Sequence, residues 1–453
     1  MFTMRGYVAV ILAALSCFCI FNRSFAQLPP PISISNLTSF RLKSPSDIKT
    51  VEDAMAAVIT IASKDLGLPL VEPLYIHLHP DTNSFAAHAG KYGRRLAPTT
   101  TQFAIAVAEE NRFHVNMEKA RGRPWSALIW TLAHEYTHNV EYVFSSLYRG
   151  SQWLREGFAD WVAAKVLHHL GWQDHSTTVH RSTLEVRRLR AFLPALTELE
   201  ESNRWSVWAN HPNGGILTYR FAFLAVDKLL SRAGATEMRK YFATQDFQTN
   251  FGVSWNQFEK EFKAALSESR TPNRIDGKAE KPDWKIGHQW HYAWKAPGRS
   301  GMLARELVRE EIFEGQPTYV LKAGDSESFH AKESLGLLAT ATKGTISTRQ
   351  SAAHELFSWP LESGREWKTA FARENPAQKS SAKLAYVKVI ASVEEIGVPA
   401  RNFEAFKIES YGSDNGRLLT EQWYAPAVKW FVKIREYFQD GVREEELIKF
   451  NLD

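Results

Sequence analysis

The chain of 453 residues contains two cysteines, and both lie close to its N-terminus, at Cys17 and Cys19. They fall within a segment that we expect to be removed, so the mature chain would contain no cysteine. Such a chain has no disulfide bonds, no thiolate metal ligands and no cysteine nucleophile. Its stability outside the cytoplasm must come from core packing, which a chain of this length can supply.

The sequence also lacks a strong excess of charge of one sign. Its formal net charge is +5, and removal of residues 1–26, which carry Arg5 and Arg23 and no acidic residue, leaves 5 − 2 = +3. An excess this small and scattered argues against nucleic acid as a partner. Internal repeats and low-complexity segments are absent as well, and a hydrophobic fraction of 44% is typical of a globular protein.

One long apolar run occurs, at residues 7–21. Arg5 precedes the run, and Ser24 and Ala26 provide the small residues that a signal peptidase recognises. We therefore predict a signal peptide at 1–26, cleavage near Ala26, export to the periplasm or beyond the cell, and no stable membrane insertion after cleavage. The alternative is an uncleaved membrane anchor, but the run is shorter than the ~20 apolar residues that span a bilayer.

The pattern of the remaining chain changes near residues 267–283, which are polar and contain proline and glycine, as a linker does. The preceding pattern predicts a helix at 48–66, strands at 71–78, 102–107 and 112–116, and mainly helix over 124–262. The following pattern predicts strands at 289–294, 318–322, 384–393, 403–409 and 428–437. We predict an α+β unit at 27–270, a linker at 271–283 and a β-rich C-terminal domain at 284–453, either a sandwich or an open barrel.

Residues 134–138 read His-Glu-Tyr-Thr-His within one of the predicted helices. Residues four apart in a helix project from the same face, so His134 and His138 can bind one ion. Zinc accepts imidazole nitrogens, and the adjacent Glu135 stays available to act on a bound water. The sequence therefore predicts a zinc site with His134 and His138 as ligands and Glu135 as general base.

Residues 153–161 of the next predicted helix read Trp-Leu-Arg-Glu-Gly-Phe-Ala-Asp-Trp. The pairing of His-Glu-x-x-His with a downstream Glu-Gly-x-Ala-Asp resembles the gluzincin metallopeptidases, which include thermolysin-like and peptidase-MA-like proteins. The resemblance covers about residues 71–262 and implies a gluzincin-like catalytic domain, a small sheet plus a helical bundle that carries the motif. It implies that Glu156 is the third zinc ligand and that Asp160 orients a ligand histidine. A solvated helix face is the alternative for Asp160.

Two departures from the gluzincin pattern refine this expectation. Glu156 follows His138 more closely than in the best-known members, so the connecting loop must be tight. The Gly-x-Met-Glu-Asn motif of the aminopeptidase branch is represented only by the fragment at residues 116–118. We therefore expect an endopeptidase rather than an aminopeptidase. The metzincin pattern fails, because it requires glycine and histidine where this chain has Glu141 and Phe144.

The resemblance implies hydrolysis of a peptide or protein substrate by zinc-activated water, with Glu135 accepting the proton. A further donor should stabilise the oxyanion, and Tyr219 is the first candidate and His211 the second. The alternative function is a non-catalytic envelope or binding protein that retains or has lost its zinc site and binds a ligand through the β-domain. Aromatic residues at strand positions of that domain favour a packed core over an exposed sugar or lipid groove.

Limited proteolysis of the mature protein should cut first within residues 267–283, because polar segments with proline and glycine are readily accessible. Mass spectrometry should then find two stable fragments that meet in this segment. First cuts inside 284–453 would contradict the domain boundary.

Overall fold

The structure, a computed structural model, describes residues 30–33, 47–89, 104–145, 150–267 and 277–453. The predicted signal peptide, its cleavage near Ala26 and residues 271–276 of the predicted linker lie outside the described residues. The remaining linker residues include a short strand, Lys278–Ala279, which pairs with Leu361–Glu362 in the C-terminal domain.

The described N-terminal part is mainly helical. Its α-helices are α1 (Val51–Thr60), α2 (Thr82–His88), α3 (Met117–Ala120), α4 (Trp125–Phe144), α5 (Gln152–His169), α6 (His175–Arg188), α7 (Ser202–Ala209), α8 (Phe221–Ala233), α9 (Ala235–Thr244), α10 (Phe247–Phe251) and α11 (Trp255–Ser267). Two π-helical segments, Ile61–Asp65 and Ile216–Arg220, continue α1 and precede α8. None of the described helices is both long and apolar enough to cross a membrane.

Local sequence explains how several of these helices begin and pack. Thr50 caps α1 through a capping box with Asp53, which satisfies main-chain donors that the helix itself leaves unpaired. Helix α4 begins directly after Pro124, whose fixed φ suits a helix start. Helix α5 is buried on most of its surface, because α4 and α8 pack against it from different sides.

Four short strands lie beside these helices. They are β1 (Ile32–Ser33), β2 (Tyr75–His79), β3 (Ala106–Glu109) and β4 (Arg112–Asn116), in the order β1-β2-β4-β3. Strands β2 and β4 are parallel, and the other pairs are antiparallel. Within the described residues β3 therefore forms one edge of the sheet, and it contacts α4.

The C-terminal domain is a closed barrel of twelve antiparallel strands. With β5 (Lys278–Ala279) and β12 (Leu361–Glu362) forming a separate pair, the barrel consists of β6 (Gln289–Ala296), β7 (Arg299–Phe313), β8 (Gln316–Ala323), β9 (Ser326–Ala331), β10 (Leu337–Thr342), β11 (Thr345–His354), β13 (Glu366–Asn375), β14 (Ser380–Val398), β15 (Arg401–Gly412), β16 (Leu418–Ala425), β17 (Trp430–Phe438) and β18 (Gly441–Asn451). Pairing of β18 with β6 and of β9 with β10 closes the ring.

The predicted fold class is wrong. We expected a gluzincin-like unit of a small sheet plus a helical bundle, followed by a sandwich or an open barrel. The structure instead has a helical N-terminal part and a closed twelve-stranded barrel. The sequence pattern indicated five strands in the C-terminal domain. Long strands such as β7 escaped detection because most of their residues are charged or partly exposed, so their alternation of apolar and polar residues is weak.

Aromatic side chains fill much of the barrel core. Trp290, Tyr292 and Tyr424 are almost completely buried. The indole of Trp290 donates a hydrogen bond to the main-chain oxygen of Val428, and the hydroxyl of Tyr292 donates to that of Phe431. The polar tips of these rings are therefore satisfied inside the core, as expected of packed aromatic residues rather than of an exposed groove.

Another part of the barrel carries a buried charge cluster that meets α6. Glu421 of β16 is fully buried and lies 2.6 Å from Lys407 Nζ and 3.3 Å from an Arg435 nitrogen. His180 of α6 approaches the same carboxylate at 3.2 Å, so the cluster links the two domains. Burial alone would raise the pKa of Glu421, but His180 and Lys407 hold that pKa well below its usual range.

The Glu421→Gln variant should be less stable than the wild type at pH 7 by about 3 kcal/mol, because buried cations lose their counter-charge. A depressed pKa in the folded state means that the wild type loses this stabilisation as pH falls below about 4.5. The difference between the two proteins in urea unfolding should therefore narrow from pH 7 to pH 3.5.

Glu404→Gln is the matched control, because Glu404 is exposed on the neighbouring strand β15. It should unfold like the wild type at each pH. A stability difference for Glu421→Gln that stays constant with pH would show that the carboxylate charge is not the cause.

Candidate metal centre

The predicted metal ligands come from α4 and α5, which pack side by side. His134 and His138 lie one turn apart on α4, and Glu156 lies on α5. One ligand atom from each residue lies within 4.8 Å of the others, and all three residues are buried. Gly157 of α5 permits the close approach of α8, because a Cβ atom there would lie 2.5 Å from the main-chain oxygen of Ala222 in α8.

The distances between the ligand atoms suit a zinc ion. The Nε2 atoms of His134 and His138 are 3.3 Å apart. Glu156 Oε2 is 3.2 Å from His134 Nε2 and 3.8 Å from His138 Nε2. Two ligands at zinc distances of about 2.0–2.1 Å and a tetrahedral angle would be about 3.3 Å apart. Two imidazoles and one carboxylate therefore fit the group that the sequence predicts.

A carboxylate holds the other ring nitrogen of each histidine. His134 Nδ1 lies 2.9 Å from Asp160 Oδ1, which also accepts a hydrogen bond from Trp130 Nε1. His138 Nδ1 lies 3.0 Å from Glu141 Oε2. A proton on each Nδ1 would leave both Nε2 lone pairs directed at the shared position, as metal-binding histidines require.

Neighbouring residues also orient the carboxylates. Arg155 Nε donates to Glu141 Oε2 at 3.2 Å, so the partner of His138 is itself paired. Gln152 Nε2 donates to Glu156 Oε1 at 2.7 Å, which leaves Oε2 to face the two histidines. Both Gln152 and Arg155 lie on the first turns of α5, upstream of Glu156.

The electrostatics of the centre favour a cation. Burial lowers the pKa of an imidazole, but Glu141 and Glu156 outweigh this effect and raise the pKa of His138 to about 9. Hydrogen bonds with Asp160 and Glu156 likewise hold the pKa of His134 above its usual value, despite burial. Burial alone would raise the pKa of Glu156, but the two histidines keep it low.

Glu135 is arranged differently from the other carboxylates. Its Oε2 accepts a hydrogen bond from the main-chain nitrogen of Ala108 in β3, at 3.1 Å. Asp160 and Glu141, rather than Glu135, hold the Nδ1 atoms of the histidines. Burial raises the pKa of Glu135, which makes its carboxylate a better proton acceptor than an exposed one.

The two candidate oxyanion donors lie in different environments. The ring of Tyr219 is 6.1 Å from that of His134, and both residues line a cavity of about 390 Å³. His211 is exposed, its Nδ1 accepts a local hydrogen bond from Asn213, and it is not among the described residues that line this cavity. The negative charge of Glu156, together with burial, raises the pKa of Tyr219 well above its usual value.

Sequence reasoning missed several residues of this centre. Glu141 follows His138 by three residues on the same helix, and this spacing could have indicated a partner for the imidazole. Gln152 and Arg155 lie one turn or less before Glu156, but glutamine and arginine at such positions are common on helix surfaces. Arg417, which lines the cavity beside His134, comes from the barrel, and no local pattern could connect the two.

Comparisons with known proteins give little information about this chain. No protein-family model and no curated protein matches it. A presumed exported protein with a YmcC-like fold from Bacteroides fragilis is 11% identical, with a TM-score of 0.24, over 38% of this chain and 99% of its own.

Two lipoproteins give similar values. The hypothetical lipoprotein YmcC from Escherichia coli is 10% identical, with a TM-score of 0.20, over 36% of this chain and 84% of its own. A presumed lipoprotein from Parabacteroides distasonis is 10% identical, with a TM-score of 0.20, over 38% of this chain and 99% of its own. Likenesses this weak carry no argument about fold or function.

The purified protein should bind one zinc ion per chain, and His138→Ala should abolish this binding because one of three ligands is lost. Asp160→Asn should weaken zinc affinity ~10–100-fold, since a neutral amide orients and polarises His134 less well than a carboxylate does. Competition with a chromogenic chelator measures the affinity, and elemental analysis identifies the metal.

Asp174→Asn is the matched control, because Asp174 is exposed at the start of α6. It should bind zinc like the wild type. Unchanged zinc content in His138→Ala would show that the ion binds elsewhere.

Proposed function

We propose that this protein is an exported zinc-dependent metallopeptidase with His134, His138 and Glu156 as metal ligands and Glu135 as general base. The observation that carries the proposal is that the buried carboxylates differ in their contacts with the two histidines. Glu156 faces both Nε2 atoms, Asp160 and Glu141 hold the Nδ1 atoms, and Glu135 has neither task. Zinc-dependent hydrolysis of a peptide bond requires a carboxylate that does not bind the metal and can accept a proton from water, and Glu135 is available for this role.

The residues around the metal have distinct chemical roles in this proposal. When bound, zinc lowers the pKa of a coordinated water and polarises the scissile carbonyl. Glu135 accepts the proton of the attacking water and passes it to the leaving amine, and its raised pKa assists the first step. Tyr219 stays protonated at neutral pH, so its hydroxyl can donate a hydrogen bond to the oxyanion.

The edge strand β3 supports a peptide as substrate. Ala108 donates its main-chain N–H to Glu135 rather than to β4, so this N–H of β3 faces the candidate metal centre. An extended peptide can pair with such an edge by main-chain hydrogen bonds, which hold its scissile bond in place. This mode of binding is independent of sequence and suits an endopeptidase.

Export and family membership remain parts of the proposal. Export is supported by the apolar run at residues 7–21 with its basic and small-residue flanks. The resemblance to gluzincin metallopeptidases is supported by the residues of the two ligand helices, from His134 to His138 and from Glu156 to Asp160. The geometry of those residues, and not the architecture of the chain, supports zinc chemistry.

Glu135→Gln should bind zinc as tightly as the wild type and lose peptide hydrolysis by at least about 100-fold, because an amide cannot accept the proton of water. Activity is measured as cleavage of a fluorogenic peptide library and of unfolded casein at equal zinc occupancy.

Iron is the competing metal, since two histidines and one carboxylate also bind Fe(II) in oxygenases. Elemental analysis of the active preparation distinguishes the two metals.

Glu110→Gln is the matched control, because Glu110 is exposed in the turn between β3 and β4. It should leave activity unchanged. Near-normal turnover by Glu135→Gln would remove Glu135 from the mechanism. A zinc-loaded wild type that cleaves none of the substrates would favour a non-catalytic binding protein.

A further inference from the structure

The cavity beside the metal centre is built from both domains. One wall carries His134 and Asp160 from α4 and α5. Another part of the lining comes from Asn415 and Arg417 in the turn between β15 and β16, at residues 413–417. A ligand that occupies this cavity of about 390 Å³ can therefore contact the metal centre and the barrel at the same time.

Hydrogen bonds fix the main chain of the turn between β15 and β16 at Arg417 and at the next residue, Leu418. Asn415 Oδ1 accepts from the main-chain nitrogen of Arg417 at 3.0 Å. The next residue, Leu418, donates its N–H to Glu185 Oε1 at 3.1 Å, and its carbonyl accepts from an Arg181 nitrogen at 3.0 Å. Glu185 and Arg181 lie on α6, so the helical part itself fixes the position of the turn.

The turn also fits the helical part closely. Gly416 adopts a left-handed conformation with φ of 64°. A Cβ atom at this position would lie 2.8 Å from Asn213 Oδ1 and 3.4 Å from Ile216 Cδ1. The left-handed conformation favours glycine, and a larger residue would also have to displace the side chain of Asn213. These contacts leave the main chain of Arg417 little freedom.

Arg417 carries a positive charge that is not paired directly with a carboxylate of the described residues. Its guanidinium, half-buried, has no hydrogen bond or ion pair with any of the described residues. Glu185 pairs with Arg181 at 3.1 Å, and Asp160 pairs with His134. Burial and the nearby Arg220 lower the pKa of Arg417 to about 10, at which it is still protonated at neutral pH.

Arg220 adds to this positive field. It lies 4.0 Å from Asp160 Oδ2 and 3.8 Å from Glu185 Oε2, distances at which neither carboxylate pairs tightly with it. Arg220 and Arg417 also line a second cavity of about 200 Å³, and the described residues around that cavity include no carboxylate. Asp160 and Glu185 also line the cavity beside the metal centre, but Asp160 pairs with His134 and Glu185 pairs with Arg181, so Arg220 and Arg417 add positive charge there.

Resting on the proposed peptidase function, we propose that Arg417, with Arg220 beside it, forms a subsite that binds a carboxylate of the peptide substrate. A guanidinium binds a carboxylate through two parallel hydrogen bonds and keeps its charge in a half-buried site, which suits it to this task. The carboxylate is either the C-terminus of the peptide or an acidic side chain next to the scissile bond. A substrate carboxylate in this cavity would lie beside the metal centre, near Asp160 and Arg220.

The test compares three versions of one peptide that the wild type cleaves. The first has a free C-terminus, the second is C-terminally amidated, and the third is amidated but carries a glutamate near the cleaved bond. Wild-type kcat/KM should be about 10–100-fold higher for at least one carboxylate-bearing peptide than for the neutral peptide, the range expected for a hydrogen bond between charged groups. Which version is preferred identifies the source of the carboxylate.

Arg417→Gln should remove this preference by lowering kcat/KM for the carboxylate-bearing peptide to that of the neutral one. Zinc affinity should not change, and Arg417→Lys should restore part of the preference. The matched control is Arg299→Gln, an exposed arginine of β7 that undergoes the same change of charge. A preference that survives in Arg417→Gln, or equal cleavage of all three peptides by the wild type, overturns the subsite.

Binding separates this proposal from the proposed function. Calorimetry with the zinc-loaded Glu135→Gln variant measures affinity for the same peptides without turnover. Tighter binding of a carboxylate-bearing peptide that disappears in the Glu135→Gln, Arg417→Gln double variant supports the subsite even if the wild type hydrolyses none of the peptides. Equal affinities for all three peptides overturn the subsite whether or not hydrolysis occurs.

Discussion

The structure of the helical part depends on the close approach of three electron-rich atoms. The Nε2 atoms of His134 and His138 are 3.3 Å apart, and Glu156 Oε2 is 3.2 Å from the first of them. Lone pairs at such distances in a buried site repel one another unless a cation lies among them. Asp160 and Glu141 add negative charge behind the rings. Packing of α4 against α5 is therefore linked to the binding of positive charge, either protons or a metal ion.

This linkage extends beyond the ligands through Asp160. The carboxylate holds His134 with one oxygen, and its other oxygen lies 4.0 Å from Arg220. Arg220 approaches Glu185, and Glu185 in turn accepts the main-chain N–H of Leu418 in the barrel. Charged groups therefore connect the metal centre to the turn between β15 and β16. A change in charge at the centre alters the electrostatic environment of a cavity wall that belongs to the other domain.

The sequence predicted the parts of the site whose geometry is local. His134 and His138 are four residues apart in α4, and Glu156 and Asp160 form a short motif in α5. A single contact between these two helices therefore brings the four residues together. Arg417 was beyond prediction, because its place beside the metal centre depends on the packing of two domains. Closure of the barrel was missed for a similar reason, since it depends on pairing of the last strand, β18, with the first, β6. No local pattern in these strands reports their partners.

Closure of the barrel has a consequence for the cavity that it helps to form. Strands β15 and β16 are paired with each other and with β14 and β17, so the turn between them projects from a continuous ladder. Its tip is fixed again by α6 through Leu418. Because the main chain of this turn is already ordered, binding of an anion costs the conformational freedom of the Arg417 side chain but not that of the turn. The barrel therefore contributes to the candidate site by fixing the position of the main chain that carries Arg417, near the candidate metal ligands.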